Sequence, residues 1–526
     1  MTEDNKRNRE SNKQYLRIFS QRRSKNKQDG FKGDDELIKG MEALERRDSV
    51  SAVKHFEIAA KLGNAEAQCA LAYCFEQGDG VKQDLLSAIK WWRKSAEQGI
   101  SIGQLQLARY YENGTGIKQD MSKANKWYRK AANSLCIEAK QGDVNAQFLF
   151  GALCRDGKGV EKDLYEWVKW CQKSAEQGNN EAQYELGTIY LNGLCVKRNA
   201  FKAFKWFRKS AMQGNTCAEY VLGNCYAHGI GVLKDKRSAL CWYLKSARHG
   251  HSDAQYHLFQ YYKYGDGTIK DEKKAQKWLY LSANQGHSEA MYELALWNAN
   301  GKSIGPNIDK AVEWYKQAAE SGQYGAWFHL GECYMFGDER IRDDRKAVQH
   351  FAVAAWGGHV EAQFRLGLCL DQGKGIPQNK AESVKWYHKA VDQRHPEAHY
   401  YLSLCYESGK GVHKDEREAS ILLHEAAKLG VAEAQYTLGL RYYNGINLRR
   451  GVVEGIRWIL HAAEQKHEMA RKTLAEIMEL GGREAQNALD MFAWHGSDVA
   501  RSIIQEYDDK FVLTQLDEEL DEGIES

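Results

Sequence analysis

The chain contains the stretch NAEAQCALAYCFEQGDGVKQDLLSAIKWWRKSAEQG, residues Asn64–Gly99, and repeats its pattern along most of its length. Ten further units follow in register, and they begin at Ile100, Asp143, Asn179, Asn215, His251, His287, Gln323, His359, His395 and Val431. The period is 36 residues, except in the second unit, which carries seven extra residues around Asn133 to Gly142. A fixed period of this length is typical of a repeat protein built from small helical units.

Each unit begins with a segment whose apolar residues follow a helical spacing. The fourth residue is alanine in ten of the eleven units, and the eighth is leucine in ten. The ninth is often glycine or alanine, and the twelfth is usually tyrosine, as in Tyr190 and Tyr226. Offsets of four, five and eight place these residues on one face of a helix. The pattern predicts a first helix whose small residues let a neighbouring helix approach closely.

A Gly-x-Gly loop and a second predicted helix complete the unit. The first glycine, for example Gly229, suits the left-handed residue that ends a helix. Position 21 is Asp or Asn in ten units, which is the side chain expected at an N-cap. The second helix carries alanine at positions 25 and 33 and tryptophan at position 28, namely Trp91, Trp127, Trp170, Trp206, Trp242, Trp278, Trp314, Trp386 and Trp458. We interpret these tryptophans as core residues, each costing about 3 to 5 kcal/mol on replacement by alanine.

Two antiparallel helices cannot cover their own apolar faces within 36 residues, so each unit needs its neighbours. The sequence therefore predicts an all-α fold, an α-solenoid (superhelix) of about eleven 36-residue helix-turn-helix repeats with terminal capping helices. The predicted parts are a polar basic N-terminal tail at 1–30, expected to be disordered, an N-terminal cap and half repeat at 31–63, eleven repeats at 64–466, a degenerate repeat with C-terminal capping helices at 467–520, and an acidic tail at 521–526.

Composition excludes several classes of protein. The 74 basic and 71 acidic residues give a net charge of +3, without the general basic excess of a protein held to nucleic acid by phosphate contacts. The longest apolar stretches fall far short of the roughly 20 residues that span a bilayer. Residues 1–30 hold nine basic and four acidic residues and lack the apolar run of a secretory signal. We predict a cytoplasmic monomer without a membrane span or a nucleic-acid partner, and nuclear targeting by the basic tail stays open.

The repeated motif resembles a known family. Glu-Ala-Gln-Tyr-x-Leu-Gly, then Tyr-x-x-Gly-x-Gly-Val and Asp-x-x-x-Ala, stand out at Glu181–Gly187, Tyr226–Val232 and Asp271–Ala275. From Ala52 to Lys466 the chain is similar to the Sel-one-like repeat (SLR) family, a relative of the tetratricopeptide repeats. The resemblance implies a right-handed α-solenoid that binds other proteins as a scaffold, and it implies a role class without a particular partner.

The cysteines bear on an enzymatic alternative. One bacterial branch of the family is rich in cysteine, with a regular disulfide in each unit, and includes proteins described as penicillin-binding or penicillin-hydrolysing. The twelve cysteines here form no regular pair within each unit, so we predict free thiols and no enzymatic activity. Cysteine recurs at position 11 in five units, where we predict small core residues rather than nucleophiles: Cys74, Cys225, Cys333, Cys369 and Cys405.

Histidine opens five units, at His251, His287, His359, His395 and His467. A zinc site needs three or four ligands around one ion, and helix layers roughly 10 Å apart do not bring these side chains together. We predict turn residues at these positions, and neither a metal nor a cofactor. Lys and Arg recur late in the second helices, where a solvated face is favoured over a basic track for nucleic acid.

One unit departs most from the pattern. Gln323–Gly358 has Trp327 where glutamine is usual, Met335 and Phe336 at the end of its first helix, and His350 in place of the tryptophan. In tetratricopeptide-like solenoids the first helices line the concave surface, and exposed aromatic and Met side chains are typical interface anchors. We hypothesise a partner groove, with local repacking as the alternative, lined by Tyr264, Trp297, Trp327, Met335 and Phe336.

Taken together, these patterns predict a non-enzymatic protein-protein interaction scaffold or adaptor that binds a protein or peptide on the concave face of the solenoid. One alternative is an inhibitor or immunity-type protein that blocks a partner enzyme. A less favoured alternative is a hydrolase of the cysteine-rich penicillin-binding branch.

Overall fold

The computed structural model describes residues 33–300, 307–337, 339–446, 450–480 and 482–509. Over these ranges the regular elements are α-helices, and no strand occurs in them. The chain divides into two compact units, Met1–Ala290 and Met291–Ser526, and the division falls within one helix, Ser288–Ala299. The predicted tails, 1–30 and 521–526, lie outside the described residues.

The first unit contains consecutive helices that pack as pairs. They are α1 (Asp34–Glu45), α2 (Ser49–Lys61), α3 (Ala65–Gln77), α4 (Leu85–Glu97), α5 (Ser101–Asn113), α6 (Met121–Lys140), α7 (Val144–Asp156), α8 (Leu164–Glu176), α9 (Asn180–Asn192), α10 (Ala200–Met212), α11 (Thr216–His228), α12 (Lys236–Arg248), α13 (Ser252–Tyr264) and α14 (Glu272–Ala283).

The second unit continues the same alternation after α15 (Ser288–Ala299). Its helices are α16 (Ile308–Glu320), α17 (Tyr324–Phe336), α18 (Asp344–Trp356), α19 (Val360–Gln372), α20 (Lys380–Asp392), α21 (Pro396–Ser408), α22 (Glu416–Lys428), α23 (Ala432–Asn444), α24 (Val452–Glu464), α25 (Glu468–Leu480), α26 (Gly482–Trp494) and α27 (498–509). Within each unit the described helices pack chiefly on the helix before and the helix after them in the chain. This confirms the predicted all-α solenoid of stacked helix pairs.

Helix ends follow the predicted capping residues. The Asp84 carboxylate accepts hydrogen bonds from the backbone N–H groups of Leu86 and Ser87 at the start of α4. Asp or Asn likewise caps the second helix of the following repeats through α22, whereas α24 begins after Gly451 without a side-chain cap. Gly78 ends α3 in the left-handed conformation, with φ 72°. The seven extra residues of the second unit lengthen one helix, because α6 has 20 residues where its counterparts have 12 or 13.

The prediction that the tryptophan column forms the core is wrong for most of its members. Trp206 is half-buried, whereas the next residue, Phe207, is fully buried. The same shift recurs along the chain, with fully buried side chains at Trp92, Tyr128, Tyr243, Tyr315, Phe351 and Tyr387. Only Trp170 and Trp386 of the column are buried. Successive side chains of a helix point about 100° apart. Because the residue after the tryptophan faces the centre of the interface, the tryptophan itself lies at the edge.

Six tryptophans of the column, four half-buried and two buried, have a lysine over the ring. The Lys209 ammonium lies 4.2 Å from the centroid of the Trp206 ring, three residues earlier on the same helix. Equivalent pairs are Lys94 with Trp91, Lys130 with Trp127, Lys173 with Trp170, Lys245 with Trp242 and Lys389 with Trp386. Cation–π contact at such exposed sites stabilises by about 0.5 to 1 kcal/mol. The lysines predicted to form a solvated face therefore also cover the indole rings.

Small residues at the ninth position leave room for the buried rings of the paired helix. A Cβ atom on Gly187 would lie 2.6 Å from Cε1 of Phe207, and one on Gly331 would lie 2.4 Å from Cε1 of Phe351. Where the ninth residue is the large Phe259, the facing core residue is Leu279 instead of an aromatic ring. The two positions therefore share one volume between the paired helices.

The fifth position carries a buried glutamine that joins neighbouring repeats. The Gln183 amide donates to the carbonyl of Ala175, at the end of the preceding second helix, over 3.1 Å. Its Oε1 accepts from the Gln213 side chain, after the second helix of its own repeat, over 2.8 Å. The same two contacts recur at Gln68, Gln147, Gln255, Gln363 and Gln435. This buried amide therefore has partners for both its donor and its acceptor, as burial requires.

The second glycine of the Gly-x-Gly loops lets the loop pack closely against the second helix of the preceding repeat. Gly231 has φ +70°, and a Cβ there would lie 2.1 Å from the carbonyl oxygen of Ala200 in the first turn of α10. A Cβ would approach backbone as closely at Gly80, Gly159, Gly375 and Gly411. Only glycine combines that conformation with so close a backbone approach.

Candidate protein-binding surface

The structure places the five predicted partner residues in different environments. Tyr264 belongs to the first unit and the other four to the second. Tyr264 and Phe336 are 68% and 62% exposed, Trp327 is half-buried, and Trp297 and Met335 are 7% and 3% exposed. Of these residues, Phe336 combines exposure with a position in the most divergent repeat.

Trp297 and Met335 are core residues, so their assignment to a binding groove is a correction. Trp297 occupies the eleventh position, where other repeats place a buried cysteine such as Cys225. Met335 packs in the core cluster that holds Phe351 and Leu366. Side chains buried to this extent offer a partner no contact area, because the apolar surface is already covered inside the fold.

Two unusual residues of the repeat Gln323–Gly358, Trp327 and His350, pack against each other. The Trp327 indole stacks on the His350 imidazole, with ring centroids 5.3 Å apart, and Tyr334 stacks on His350, also at 5.3 Å. Trp327 replaces the joining glutamine, and His350 replaces the column tryptophan. Burial lowers the pKa of His350, which favours the neutral ring within this stack. Local repacking, the alternative in the sequence analysis, therefore accounts for Trp327.

Phe336 lies beside two cations of the following repeat. The Arg365 guanidinium carbon is 5.8 Å and the Lys374 ammonium 5.6 Å from the centroid of its ring. Arg365 also lies 3.2 Å from the Glu361 carboxylate. We call Phe336, Arg365 and Lys374 the Phe336 patch. Arg365 and Lys374 were not predicted, because they occupy variable positions that reach Phe336 only through the stacking of one repeat on the next.

The chain leaves α17 differently from the first helices that end at a left-handed glycine. Gly337, which follows Phe336, has φ −71° and ψ −179°, an extended conformation, where the usual C-cap glycine is left-handed. Its N–H donates to the carbonyl of Cys333 over 3.0 Å. The altered exit follows from the loop sequence, which lacks the Gly-x-Gly pattern and its left-handed turn.

Trp356, at the end of α18, is a second exposed aromatic residue of this repeat. It is 73% exposed and packs edge-on against Trp386, with centroids 5.1 Å apart. The Lys389 ammonium lies 4.6 Å from the Trp356 ring and 3.9 Å from the Trp386 ring. An exposed indole held in place by its neighbours is the kind of residue that anchors protein interfaces.

The five histidines that open repeats cap helices, which refines their prediction as turn residues. Nδ1 of His395 accepts the N–H of Ala398 at 3.2 Å, and its Nε2 lies 2.8 Å from the Glu361 carboxylate of the preceding repeat. Its ring packs on Phe364, with centroids 4.6 Å apart. His251, His287, His359 and His467 make the same cap. Among the described residues, no group of His, Cys, Asp and Glu side chains is arranged to hold a metal ion.

Four half-buried histidines make the stability of the fold sensitive to pH. Partial burial lowers the pKa of His257, His350, His359 and His424, which disfavours the protonated ring in the folded chain. In the unfolded chain they take up protons below about pH 6.5. At these four positions the unfolded state then binds more protons, so their contribution to the free energy of unfolding falls as the pH drops from 7.5 to 5.5.

His359→Asn tests this pH dependence, because asparagine keeps the N-cap acceptor and removes the titrating ring. We expect the variant to lose less stability than the wild type between pH 7.5 and 5.5 in urea unfolding followed by circular dichroism. An equal or larger loss in the variant would contradict the assignment.

The cysteines are free thiols, and seven of the twelve are buried. All twelve are unpaired with one another, which agrees with the prediction of thiols. Burial raises the pKa of Cys225, Cys369 and Cys405 to about 11, and that of Cys74 to about 12. Thiols with raised pKa are poor nucleophiles because little thiolate is present near neutral pH.

None of the described helices combines the length and apolar character needed to cross a bilayer.

The Sel1 repeat family model matches the chain in segments that follow the helix pairs: 40–64, 65–100, 101–134, 144–179, 180–215, 218–251, 252–287, 288–323, 328–359, 360–395, 396–431 and 432–467. The first of these segments contains the whole of α2, in the region predicted as a half repeat.

Several solved structures are similar to the chain. A protective antigen of uropathogenic Escherichia coli strains with an SLR fold is 30% identical, with a TM-score of 0.64 over 87% of this chain and 95% of its own. A Sel1 repeat protein from Oxalobacter formigenes is 31% identical over 47% of this chain and 99% of its own, with a TM-score of 0.40. An immunity protein from Pseudomonas aeruginosa is 22% identical over 37% of this chain and 74% of its own, with a TM-score of 0.26.

No curated protein sequence matches the chain significantly. The family model, in contrast, matches well over half of the residues, in the same units whose helix pairs build the fold. The protein antigen from Escherichia coli shares that fold over nearly its whole length. This chain belongs to the Sel1 repeat family.

Proposed function

We propose that this protein is a non-enzymatic interaction scaffold that binds a polypeptide partner on the side formed by the first helices. The Phe336 patch carries the proposal, because it combines an exposed aromatic ring with two cations in the repeat that departs most from the common pattern. Repeat proteins vary exposed residues on a constant frame to obtain specificity.

The chemistry of the Phe336 patch defines the partner. The ring offers apolar area, while Arg365 and Lys374 favour carboxylates next to that contact. The proposed partner segment therefore places an apolar side chain beside Asp or Glu. A rigid frame of packed helices reduces the ordering cost on the scaffold's side of the interface.

Capture from a lysate of cells that express the protein tests the proposal, with Phe336→Ala and Arg365→Glu as variants. Each replaces a side chain that is at least one-third exposed, so both should keep the wild-type circular dichroism spectrum. We expect a partner retained by the wild type to fall at least tenfold with either variant, and its binding to weaken as salt rises. Tyr165→Ala is the control, because it removes an exposed aromatic residue from a second helix, outside the proposed surface.

A partner that the wild type, Phe336→Ala and Arg365→Glu retain equally would refute the Phe336 patch as the binding surface. A captured enzyme whose activity falls on addition of the wild-type protein would favour the inhibitor or immunity-type alternative. Capture without an effect on activity would favour an adaptor.

The state of the cysteines supports two further parts of the proposal. Free thiols throughout the chain are expected in a reducing compartment, so we place the protein in the cytoplasm. The raised thiol pKa values and the absence of regular cysteine pairs argue against the hydrolase of the cysteine-rich branch.

A further inference from the structure

The first unit presents a continuous surface made by its first helices. Four positions of each repeat, the third, sixth, seventh and tenth, share one side of its first helix, because their spacing is three and four residues. In the first unit these helices are α3, α5, α7, α9, α11 and α13. Contacts join this side from repeat to repeat. The Tyr220 hydroxyl lies 3.3 Å from Nε2 of His257, and Asp253 lies 3.3 Å from Nε2 of His287. We call this surface the first-helix face.

The first-helix face is aromatic and acidic. Its sixth positions include Phe148, Tyr184, Tyr220 and Tyr256, and its third and seventh positions include Glu66, Glu181, Glu185 and Asp253. Arg109 is the Lys or Arg residue among these positions. Burial lowers the pKa of His257, which favours its neutral ring. Such a surface suits a segment that combines cations with apolar side chains.

Burial along the first-helix face is uneven. On α3 and α5 the side chains at repeat positions 6 and 7 are nearly inaccessible, with Leu105 at 2% exposure. At position 10, Tyr73 of α3 is 3% exposed, whereas Arg109 of α5 is half-exposed. The same positions on α9, α11 and α13 are half-exposed. Yet α3, α5, α9, α11 and α13 each pack mainly on the helix before and the helix after them. The common helix pairs therefore do not account for the additional cover on α3 and α5.

The chain supplies a segment of matching chemistry within the same unit. Residues 1–32 precede α1 and lie outside the described residues. Up to Gly30 they carry nine basic and four acidic residues. Two apolar pairs, Tyr15-Leu16 and Ile18-Phe19, flank Arg17, and Arg22 and Arg23 follow. A chain of this length reaches roughly 100 Å when extended, so α3 and α5 are within its span.

We propose that residues 1–32 bind the first-helix face of their own chain, with the apolar side chains over α3 and α5 and the basic ones toward the acids of α9. Tethering keeps the segment at an effective concentration on the order of millimolar, so weak contacts suffice to hold it. An external basic segment must displace it in order to bind this face. The inference concerns a surface other than the Phe336 patch, so either proposal can fail without the other.

Photo-crosslinking in the full-length protein tests the proposal. A photoreactive phenylalanine analogue at position 19 is expected to crosslink within the same chain to residues of α3, α5, α7 or α9, identified by mass spectrometry. The yield should fall at least tenfold in the Glu181→Lys/Glu185→Lys variant, and should also fall as salt rises. Phe336→Ala is the control, and it should leave the yield unchanged.

Three outcomes would overturn the proposal. They are crosslinks only between two copies of the chain, crosslinks only to the acidic segment 506–526, and no crosslink to the first-helix face. A second measurement does not depend on where the photoreactive probe is placed. In a full-length variant with Tyr15→Ser, Phe19→Ser, Arg22→Glu and Arg23→Glu, the chain's own segment should no longer cover the face. A labelled synthetic peptide of residues 9–32 should therefore bind this variant at least tenfold more tightly than it binds the wild type. Equal affinity for the two proteins, or no binding to the variant, would also refute self-occupancy of this face.

Discussion

Replacing Phe207 with alanine is expected to lower the free energy of unfolding by about 3 to 5 kcal/mol. Phe207 is fully buried between α9 and α10, and its ring contacts the space that Gly187 leaves open. Alanine would leave a cavity there, since the small Gly187 cannot fill it. Because each repeat is stabilised by its neighbours, the loss should extend to the adjacent pairs.

Trp206→Ala is the matched control for Phe207→Ala, because the two residues are adjacent on one helix. Trp206 is half-buried and is covered by Lys209, so its removal takes away part of an interface edge and one cation–π contact. We expect a smaller loss than for Phe207 in urea unfolding followed by circular dichroism. A loss as large as that of Phe207→Ala would contradict the assignment of the core to the residue after the tryptophan.

Gly231→Ala is expected to cost about 2 to 5 kcal/mol, the sum of two penalties. An alanine at φ +70° costs roughly 1 to 2 kcal/mol, and crowding in a packed site adds about 1 to 3 kcal/mol. The crowding arises because the new Cβ would lie 2.1 Å from the Ala200 carbonyl oxygen. The loop would have to move away from the preceding repeat, and the stacking of the two repeats would weaken.

The other glycine of the same loop separates these two penalties. Gly229 has φ +76°, but its nearest neighbour to an added Cβ is 3.5 Å away, so Gly229→Ala keeps the conformational cost and loses the crowding. We expect its midpoint of urea unfolding to lie between those of the wild type and Gly231→Ala. Equal midpoints for the two variants would show that the contact with Ala200 contributes nothing.

The two binding proposals differ in charge, which makes them separable by one common measurement. The Phe336 patch pairs an aromatic ring with two cations, whereas the first-helix face of the first unit combines aromatic rings with carboxylates. Both interactions should weaken as salt rises, but opposite charge substitutions disrupt them. Arg365→Glu should affect only the partner, and Glu181→Lys/Glu185→Lys only the N-terminal segment.

Sequence reasoning was least successful for the partner residues, and the causes are specific. Phe336 and Tyr264 are exposed as the groove hypothesis requires, yet Trp297 and Met335 fill core positions and Trp327 stacks on His350. A departure from a repeat pattern shows that an environment has changed, but it does not distinguish an exposed anchor from a compensated core. The paired change of Trp327 and His350 within one repeat was the available signal of compensation.

The repeat, the helix pairs, their caps and the family could all be predicted from the residues, because they depend on spacings within 36 residues and on local backbone preferences. The folded chain was needed to show which side of the second helix faces the core, which glycine lets one repeat stack on the next, and which cations reach Phe336. Those features depend on how the helices and repeats pack on one another. A shift of one residue along a helix decides whether a side chain is buried or exposed, and the distance from a loop to the preceding helix decides whether a Cβ atom fits between them.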